Sequence, residues 1–349
     1  MCYSSAPFLP RAQASVDFLR TVLQTQLTSV AAVSAAAAAA CQHTTDVALG
    51  GKHLRSLLVH IGADRPDGPY QTDIAVGAAF DLLHAGFLVV DDVIDKDEKR
   101  RGVITVHAAA RRAAAADPAV SPAAAGHYGN TVAVLAGMAA MNEATRLVFT
   151  CGVDPAAAGE LMDVWTQATA NSLMGEFLDV HHSLPHVHPS EKDVRLASRL
   201  KTASYTFEAP LCAGALIAGH PQRTAALRRV GWQLGAAFQL ADDLNNVFAD
   251  PAHTGKDPAG DLGQRRSTPL VGLVDRTPYR AQFHQAVAQR DLPQVREILT
   301  NSGAVAALSA EIAHHLQLAA GAADQVGFSP AARESLDCIA ATIAEVTDV

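Results

Sequence analysis

Between Ile74 and Val90 the chain reads IAVGAAFDLLHAGFLVV, apolar except at Asp81 and His84, and it then runs directly into the acidic string DDVIDKDE. An apolar stretch of that length must be buried, and its polar interruptions do not suit a membrane span of about 20 strongly apolar residues. The periodicity predicts a core helix over 71–97. On such a helix Asp91 and Asp95 lie one turn apart on one face, with Asp92 beside them. Two like charges at 4 Å repel by ~1 kcal/mol in water and ~4 kcal/mol at an effective dielectric of 20. A hard divalent cation removes that repulsion, and magnesium takes one or two carboxylates while sharing its other positions with water and phosphate oxygens. The competing reading is a solvated helix end whose acids pair with Lys96, Lys99, Arg100 and Arg101.

A second segment, GWQLGAAFQLADDLNNVFAD, repeats the design. Asp242 and Asp243 close an apolar helix, and Gln239 lies three residues before Asp242 on its face. Alone, this pair reads as a polar helix end. Together, the two clusters favour a multi-metal site over an apolar well.

Composition supports a helical protein. Alanine, the best helix former, is roughly a fifth of the chain, and aromatic residues are 5%. Helices are expected near 11–40, 71–97, 130–150, 156–180, 190–218, 222–248, 270–290, 303–325 and 329–347. No Gly/Ser/Pro linker divides the 349 residues, so a single all-α domain is expected over 1–349, with 1–15 as a flexible extension. A net charge of −8 excludes a nucleic-acid binder. The five cysteines are scattered and form no C-x-x-C pair, which argues against a disulfide framework or a zinc site. The opening MCYSSAPFLPRAQAS carries no basic region leading into an apolar one, so a cytoplasmic protein with no membrane span is expected.

Three basic segments complete the pattern. GGKHLR places Lys52 and Arg55 after Gly50 and Gly51, where bare glycine backbone allows N–H groups to approach an anion. KTASY carries Lys201, Thr202 and Tyr205, and TGKDPAGDLGQRRST carries Lys256, Arg265 and Arg266. Each could be a solvated loop. Their company with two acid clusters points to a ligand bearing several phosphates and metal ions.

Taken in order, GGKHLR, DDVIDKDEKRRG, GEFLD (Gly175–Asp179), KTASY, FQLADD and the later GK resemble the motifs of the trans-isoprenyl diphosphate synthases, the polyprenyl synthetase family. The resemblance covers about Gly50 to Thr268. It implies one all-helical bundle around a deep cavity and a geranylgeranyl diphosphate synthase-like prenyltransferase. In that chemistry an allylic diphosphate ionises to an allylic cation and pyrophosphate, and the alkene of isopentenyl diphosphate attacks the cation. By the same resemblance, Asp91, Asp95 and Asp242 bind magnesium, three ions per site, with Asp92 and Asp243 in support. Arg100, Lys201 and Lys256 hold the allylic diphosphate. Gly51, Lys52, Arg55, His84 and Arg101 hold isopentenyl diphosphate. Thr202, Tyr205 and Gln239 lie beside the cation, and a homodimer is implied. Glu176 and Asp179 line the site or hold Lys201.

This sequence departs from the family pattern at Asn246, Met138, Val90 and Arg266. In the family, bulky residues four and five positions before the first aspartate stop chain growth; here these are Phe87 and Gly86. The glycine predicts a deeper floor and a C20 product, with C15 and C25 as neighbours. Two alternatives remain open on sequence. A terpene cyclase of the same fold would not need Lys52, Arg55, His84 and Arg101. A silent subunit of a heteromeric synthase would be expected to lose an aspartate cluster. The histidines at 181, 182, 186 and 188 read as an ordinary surface loop, and Trp165 and Trp232 as packing residues.

Overall fold

The computed structural model describes residues 3–184, 186–248 and 268–345. Lys256, Arg265 and Arg266 lie outside the described residues. The structure is all-α, and among the described residues the sole strands are a two-residue pair. The chain packs as two compact units: Phe8–His60 with Arg65–Met162, and Asp163–Val349 with Met1–Pro7 and Ile61–Asp64.

The N-terminal unit is built on helices α1 (Leu9–Ala31), α2 (Ala35–Ala48), α3 (Leu54–Ala63), α4 (Gln71–Asp95), α5 (Val106–Ala115) and α6 (Pro122–Phe149). The helix expected over 11–40 is two helices. The break falls at Ser34, whose hydroxyl accepts from the Ala37 amide and caps α2. The expected extension over 1–15 is helical from Leu9 onward, because Phe8, Ala12 and Ser15 are buried. Ser121 likewise caps α6, with Pro122 in its first turn, so that helix starts eight residues before the expected 130.

Helix α4 is the core of this unit. Its N-terminus is fixed by Asp73, which accepts from the Tyr70 amide and from the Arg65 guanidinium. Phe80, Leu82, Leu83 and Val89 are fully buried along it. Helix α6 lies close against it because glycines meet there. A Cβ on Gly86 would stand 3.0 Å from the Gly137 carbonyl oxygen, and one on Gly137 would stand 2.6 Å from Val90 Cγ2. Both helices are long and apolar enough to cross a membrane, but 72% of the α4 window is buried inside the protein against 39% for α6.

The C-terminal unit carries most of α7 (Pro155–His182), then α8 (Glu191–Ser198), a π-helical stretch over Arg199–Glu208, α9 (Ala209–Ile217) and α10 (Thr224–Phe248). It continues with α11 (Pro269–Val274), α12 (Arg280–Gln289), α13 (Leu292–Asn301), α14 (Ala304–Ala323) and α15 (Pro330–Ala344). The single helix expected over 190–218 therefore has a widened middle. Pro210 has no N–H and its ring crowds the preceding turn, so the ladder upstream opens. Three glycines admit the wide turn. Added Cβ atoms on Gly175, Gly231 and Gly235 would stand 2.1 Å from Lys201 N, 2.6 Å from Glu208 Cα and 2.4 Å from Ala203 Cβ.

Candidate active site

In the N-terminal unit the first acid cluster is organised by a hairpin. Helix α4 stops at Lys96, which adopts the left-handed conformation, and the chain folds back as β1 (Lys99–Arg100) and β2 (Val103–Ile104), with Arg100 opposite Val103. The two loop residues, Arg101 and Gly102, have φ of 51° and 78°. Positive φ at both central positions marks the tight turn whose twist matches a hairpin. The turn sends its arginines to different partners. Arg100 donates through Nε to Asp92 Oδ1 at 2.7 Å and through Nη2 to Asp91 Oδ2 at 3.2 Å. Arg101 lies across Gly51, where an added Cβ would stand 2.6 Å from its Nη1. Gly51 also has φ of 104°, so glycine is required there twice over.

The electrostatics follow from this packing. Burial pushes the Asp92 carboxyl up to about 6, against the pull of Arg100. Burial works against a charged Arg100, but Asp92 and Asp91 outweigh it and raise its pKa. Burial, and then Arg55, Arg100, Arg101 and His53, hold His84 well below the usual histidine range, so its ring is neutral at pH 7. Arg101 is lowered by burial and by Arg100 and Arg55. These effects place Arg55, His84, Arg100 and Arg101 within electrostatic reach of one another, with Lys52 exposed just before α3, which carries Arg55. A neighbourhood of several guanidinium groups suits an anionic ligand.

The donor chemistry fits magnesium. Asp91, Asp92 and Asp95 offer only carboxylate oxygens, and the buried Asp92 Oδ2 has no hydrogen-bond partner. Among the described residues no group of three or more His, Cys, Asp or Glu side chains forms a closed cage. An ion that keeps waters and phosphate oxygens needs no such cage.

In the C-terminal unit the second cluster is arranged differently. Asp242 is exposed, and Asn246 Nδ2 donates to its Oδ2 at 3.3 Å. Asp243 turns inward: burial and then Asp242 push its carboxyl up to about 8, while the Leu270 amide and the Thr268 hydroxyl donate to it. Its Oδ2 is shut from water without a donor. Lys201 stands on the π-helical stretch, its Nζ 2.7 Å from Glu176 Oε2 and 2.9 Å from Asp179 Oδ2. Glu176 and Asp179 therefore hold Lys201. Ser172 donates to the Lys201 carbonyl at 2.9 Å, and Ser198 donates to Gln239 Oε1 at 3.1 Å. Thr202 is part-buried and Tyr205 buried on the same stretch.

The structure corrects one expectation directly. Gly86 faces α6, where an added Cβ would stand 2.8 Å from Met141 Cγ. It is a packing glycine that lets two helices approach, not an open position in a floor. Gly86→Phe would damage the α4–α6 contact and reports nothing about chain length. Phe87 lies part-buried one turn before Asp91. Met138 is exposed on α6, and Trp232 is also exposed with the Arg199 guanidinium 3.9 Å over its ring. Trp165 is buried, as a packing residue should be. His181 and His182 belong to the last turn of α7, with His181 stacked on Phe177.

Residues 36–301, which run through both units, match the Polyprenyl synthetase family. The chain belongs to that family. It is 31% identical over 225 residues to the geranylgeranyl diphosphate synthase of Sulfolobus acidocaldarius, covering 64% of this chain and 62% of that protein. It is 33% identical over 236 residues to the geranylgeranyl diphosphate synthase of Mycobacterium tuberculosis, covering 66% and 61%. The matched stretch thus spans less than two thirds of these relatives. A solved geranylgeranyl pyrophosphate synthase from Corynebacterium glutamicum, complexed with isoprenyl diphosphate and magnesium, superposes with a TM-score of 0.86 at 28% identity. That superposition covers 97% of this chain and 99% of that one.

Proposed function

We propose that this chain is a prenyl diphosphate synthase that joins isopentenyl diphosphate head-to-tail to an allylic diphosphate, releasing pyrophosphate, with geranylgeranyl diphosphate as its product. The observation that carries the reading is the Arg100–Arg101 hairpin. One short turn sets Arg100 on Asp91 and Asp92 and lays Arg101 over the GGKHLR loop, so acids suited to metal and cations suited to diphosphate share one structural unit.

Magnesium, for which Asp91 and Asp95, and separately Asp242, are the candidate ligands, would neutralise diphosphate charge and favour departure of pyrophosphate. Arg100, Lys201 and Lys256 would donate to the diphosphate oxygens on which charge builds as the C–O bond breaks. Lys52, Arg55 and Arg101 would grip the diphosphate of isopentenyl diphosphate, with bare backbone at Gly51. His84, kept neutral, adds an N–H donor without adding charge. Thr202, Tyr205 and Gln239 would flank the allylic cation, and the released pyrophosphate takes the proton, so no strong protein base is required. The C20 product rests on the relatives named above and on Phe87 as the single bulky residue before Asp91.

The reading extends to the partner. Tyr128, Leu135, Met138 and Phe149 leave an apolar face of α6 exposed, and a second copy of this chain would cover it. Light scattering should then give twice 36.5 kDa.

The test is a product assay with magnesium, isopentenyl diphosphate and, separately, dimethylallyl, geranyl and farnesyl diphosphate. Mass spectrometry should show one elongated C20 diphosphate. A C15 or C25 product would overturn the length assignment alone. A hydrocarbon or alcohol released with pyrophosphate would replace the transferase by a cyclase. No turnover would leave the silent-subunit reading.

A further inference from the structure

One buried carboxylate in the N-terminal unit is used by neither metal nor substrate in the reading above. Asp81 sits in the apolar middle of α4 between the fully buried Phe80 and Leu82, and is itself 5% exposed. A carboxylate in such surroundings is costly unless it is bonded. Its two oxygens reach the loop that carries GGKHLR. Oδ2 lies 3.0 Å from His53 Nδ1, and Oδ1 accepts from the Ser56 amide at 3.3 Å. Ser56 is the third residue of α3, so a side chain from another helix satisfies an amide that a local cap would otherwise take. The negative charge also sits at the positive end of the α3 dipole.

His53 needs that support. It precedes α3 with φ of 51°, a left-handed conformation that non-glycine residues seldom adopt and that is strained. Its ring bridges the Leu49 carbonyl, at the end of α2, and Asp81 on α4, while the Ser56 hydroxyl donates to its carbonyl at 2.9 Å. Burial opposes a charged ring, yet the bond to Asp81 raises the pKa above its ordinary value. The strained residue lies directly between Lys52 and Arg55, and Asp81 is one helical turn before His84.

We propose that Asp81 is the positioning residue of the diphosphate-gripping loop: through His53 and the Ser56 amide it fixes the turn at 51–55, and so sets the directions of Lys52 and Arg55. The inference rests on the assignment of that loop to isopentenyl diphosphate. Asp81 itself touches no substrate. Its loss should weaken one substrate and spare the other.

The experiment compares the wild type with Asp81→Asn, His53→Ala and the double variant. Isopentenyl diphosphate binding is measured by calorimetry, and KM for both substrates and kcat by steady-state kinetics. Asp81→Asn and His53→Ala should each raise KM for isopentenyl diphosphate about tenfold, the worth of one hydrogen bond to a charged group. KM for the allylic substrate and kcat should stay within about threefold, below half the worth of such a bond. The double variant should lose no more than either single one, because both break the same link. Equal effects on the two substrates, an unchanged KM for isopentenyl diphosphate, or additive losses would each overturn the inference. If Asp81→Asn does not fold, His53→Ala, at a part-exposed position, still decides by the same KM split. A wild type that does not bind isopentenyl diphosphate would overturn the functional assignment of the loop, and the inference with it. A wild type that binds, with variants that bind as well, overturns the inference alone.

Discussion

The two aspartate clusters look alike in sequence, each an Asp-Asp pair closing an apolar helix, yet they are built on opposite principles. At the first, a cation has been supplied. Arg100 comes back from the hairpin to Asp92 and Asp91, and the arginines and His84 of the same unit crowd the neighbourhood. At the second, neutral groups hold the acids where the first has an arginine. Asp242 stands in solvent with the amide of Asn246, and Asp243 points inward to the Thr268 hydroxyl and the Leu270 amide. The first cluster is paired with an arginine fixed by a tight turn. The second has one carboxylate in solvent and one tethered to the start of α11. Equal spelling therefore does not mean equal duty, because the partners come from chain segments that the motif does not contain.

Three measurements test this difference. Asp91→Asn removes a carboxylate bonded to Arg100, so the elongation rate at saturating substrates should fall about 10³-fold, whereas Asp242→Asn should cost about tenfold to a hundredfold. Equal losses would erase the distinction.

A smaller effect concerns stability. The Asp243 pKa is raised in the folded state, from 3.8 to about 8, so the folded protein holds a proton that the unfolded chain has lost. Stability of the metal-free protein then falls as pH rises from about 4 to about 8, and the full penalty persists above that. Asp243→Asn, which keeps an acceptor for Leu270 and Thr268, should raise the melting temperature at pH 8 and lose that advantage below pH 4, read by thermal unfolding in chelator. A constant advantage at every pH would show that ionisation is not its source.

The smallest expected effect is at Asn246. Asn246→Asp restores a third acid one turn after Asp242, and should lower the magnesium concentration for half-maximal activity about two- to threefold, the scale of one exposed charge pair. A larger shift would mean that position 246 ligates directly, and would make the two clusters more alike.

Much of the site was legible in the order of its motifs. The DDVID spacing predicted two carboxylates on one helix face, and Gly50–Arg55 predicted a glycine turn presenting cations. Helix α4 does run through Asp95, and Gly51 does take a positive φ, because these features depend only on helical pitch and on backbone freedom. Gly86 misled for a reason of the same kind: a glycine in a helix can mark open space or a close neighbour, and only the position of Met141 and Gly137 on α6 distinguishes them. That Arg100 pairs with the acids was among the sequence readings, but which acid it meets was not, because a hairpin of two-residue strands leaves little alternation to read. Asp81 and His53 are 28 residues apart, and no local pattern joins them.

Composition and pattern alone establish that the chain is helical, that two of its helices, α4 and α10, carry Asp-Asp pairs after an apolar run, and that basic segments accompany them. Those properties follow from composition, period and residue chemistry, which act over one or two helical turns. Which acid meets which base, which glycine is a contact rather than a space, and which carboxylate is buried as a tether came from the three-dimensional packing. Those outcomes depend on close packing and desolvation between segments far apart in the chain, where an ångström of approach or the loss of one water changes the energy by more than any local preference.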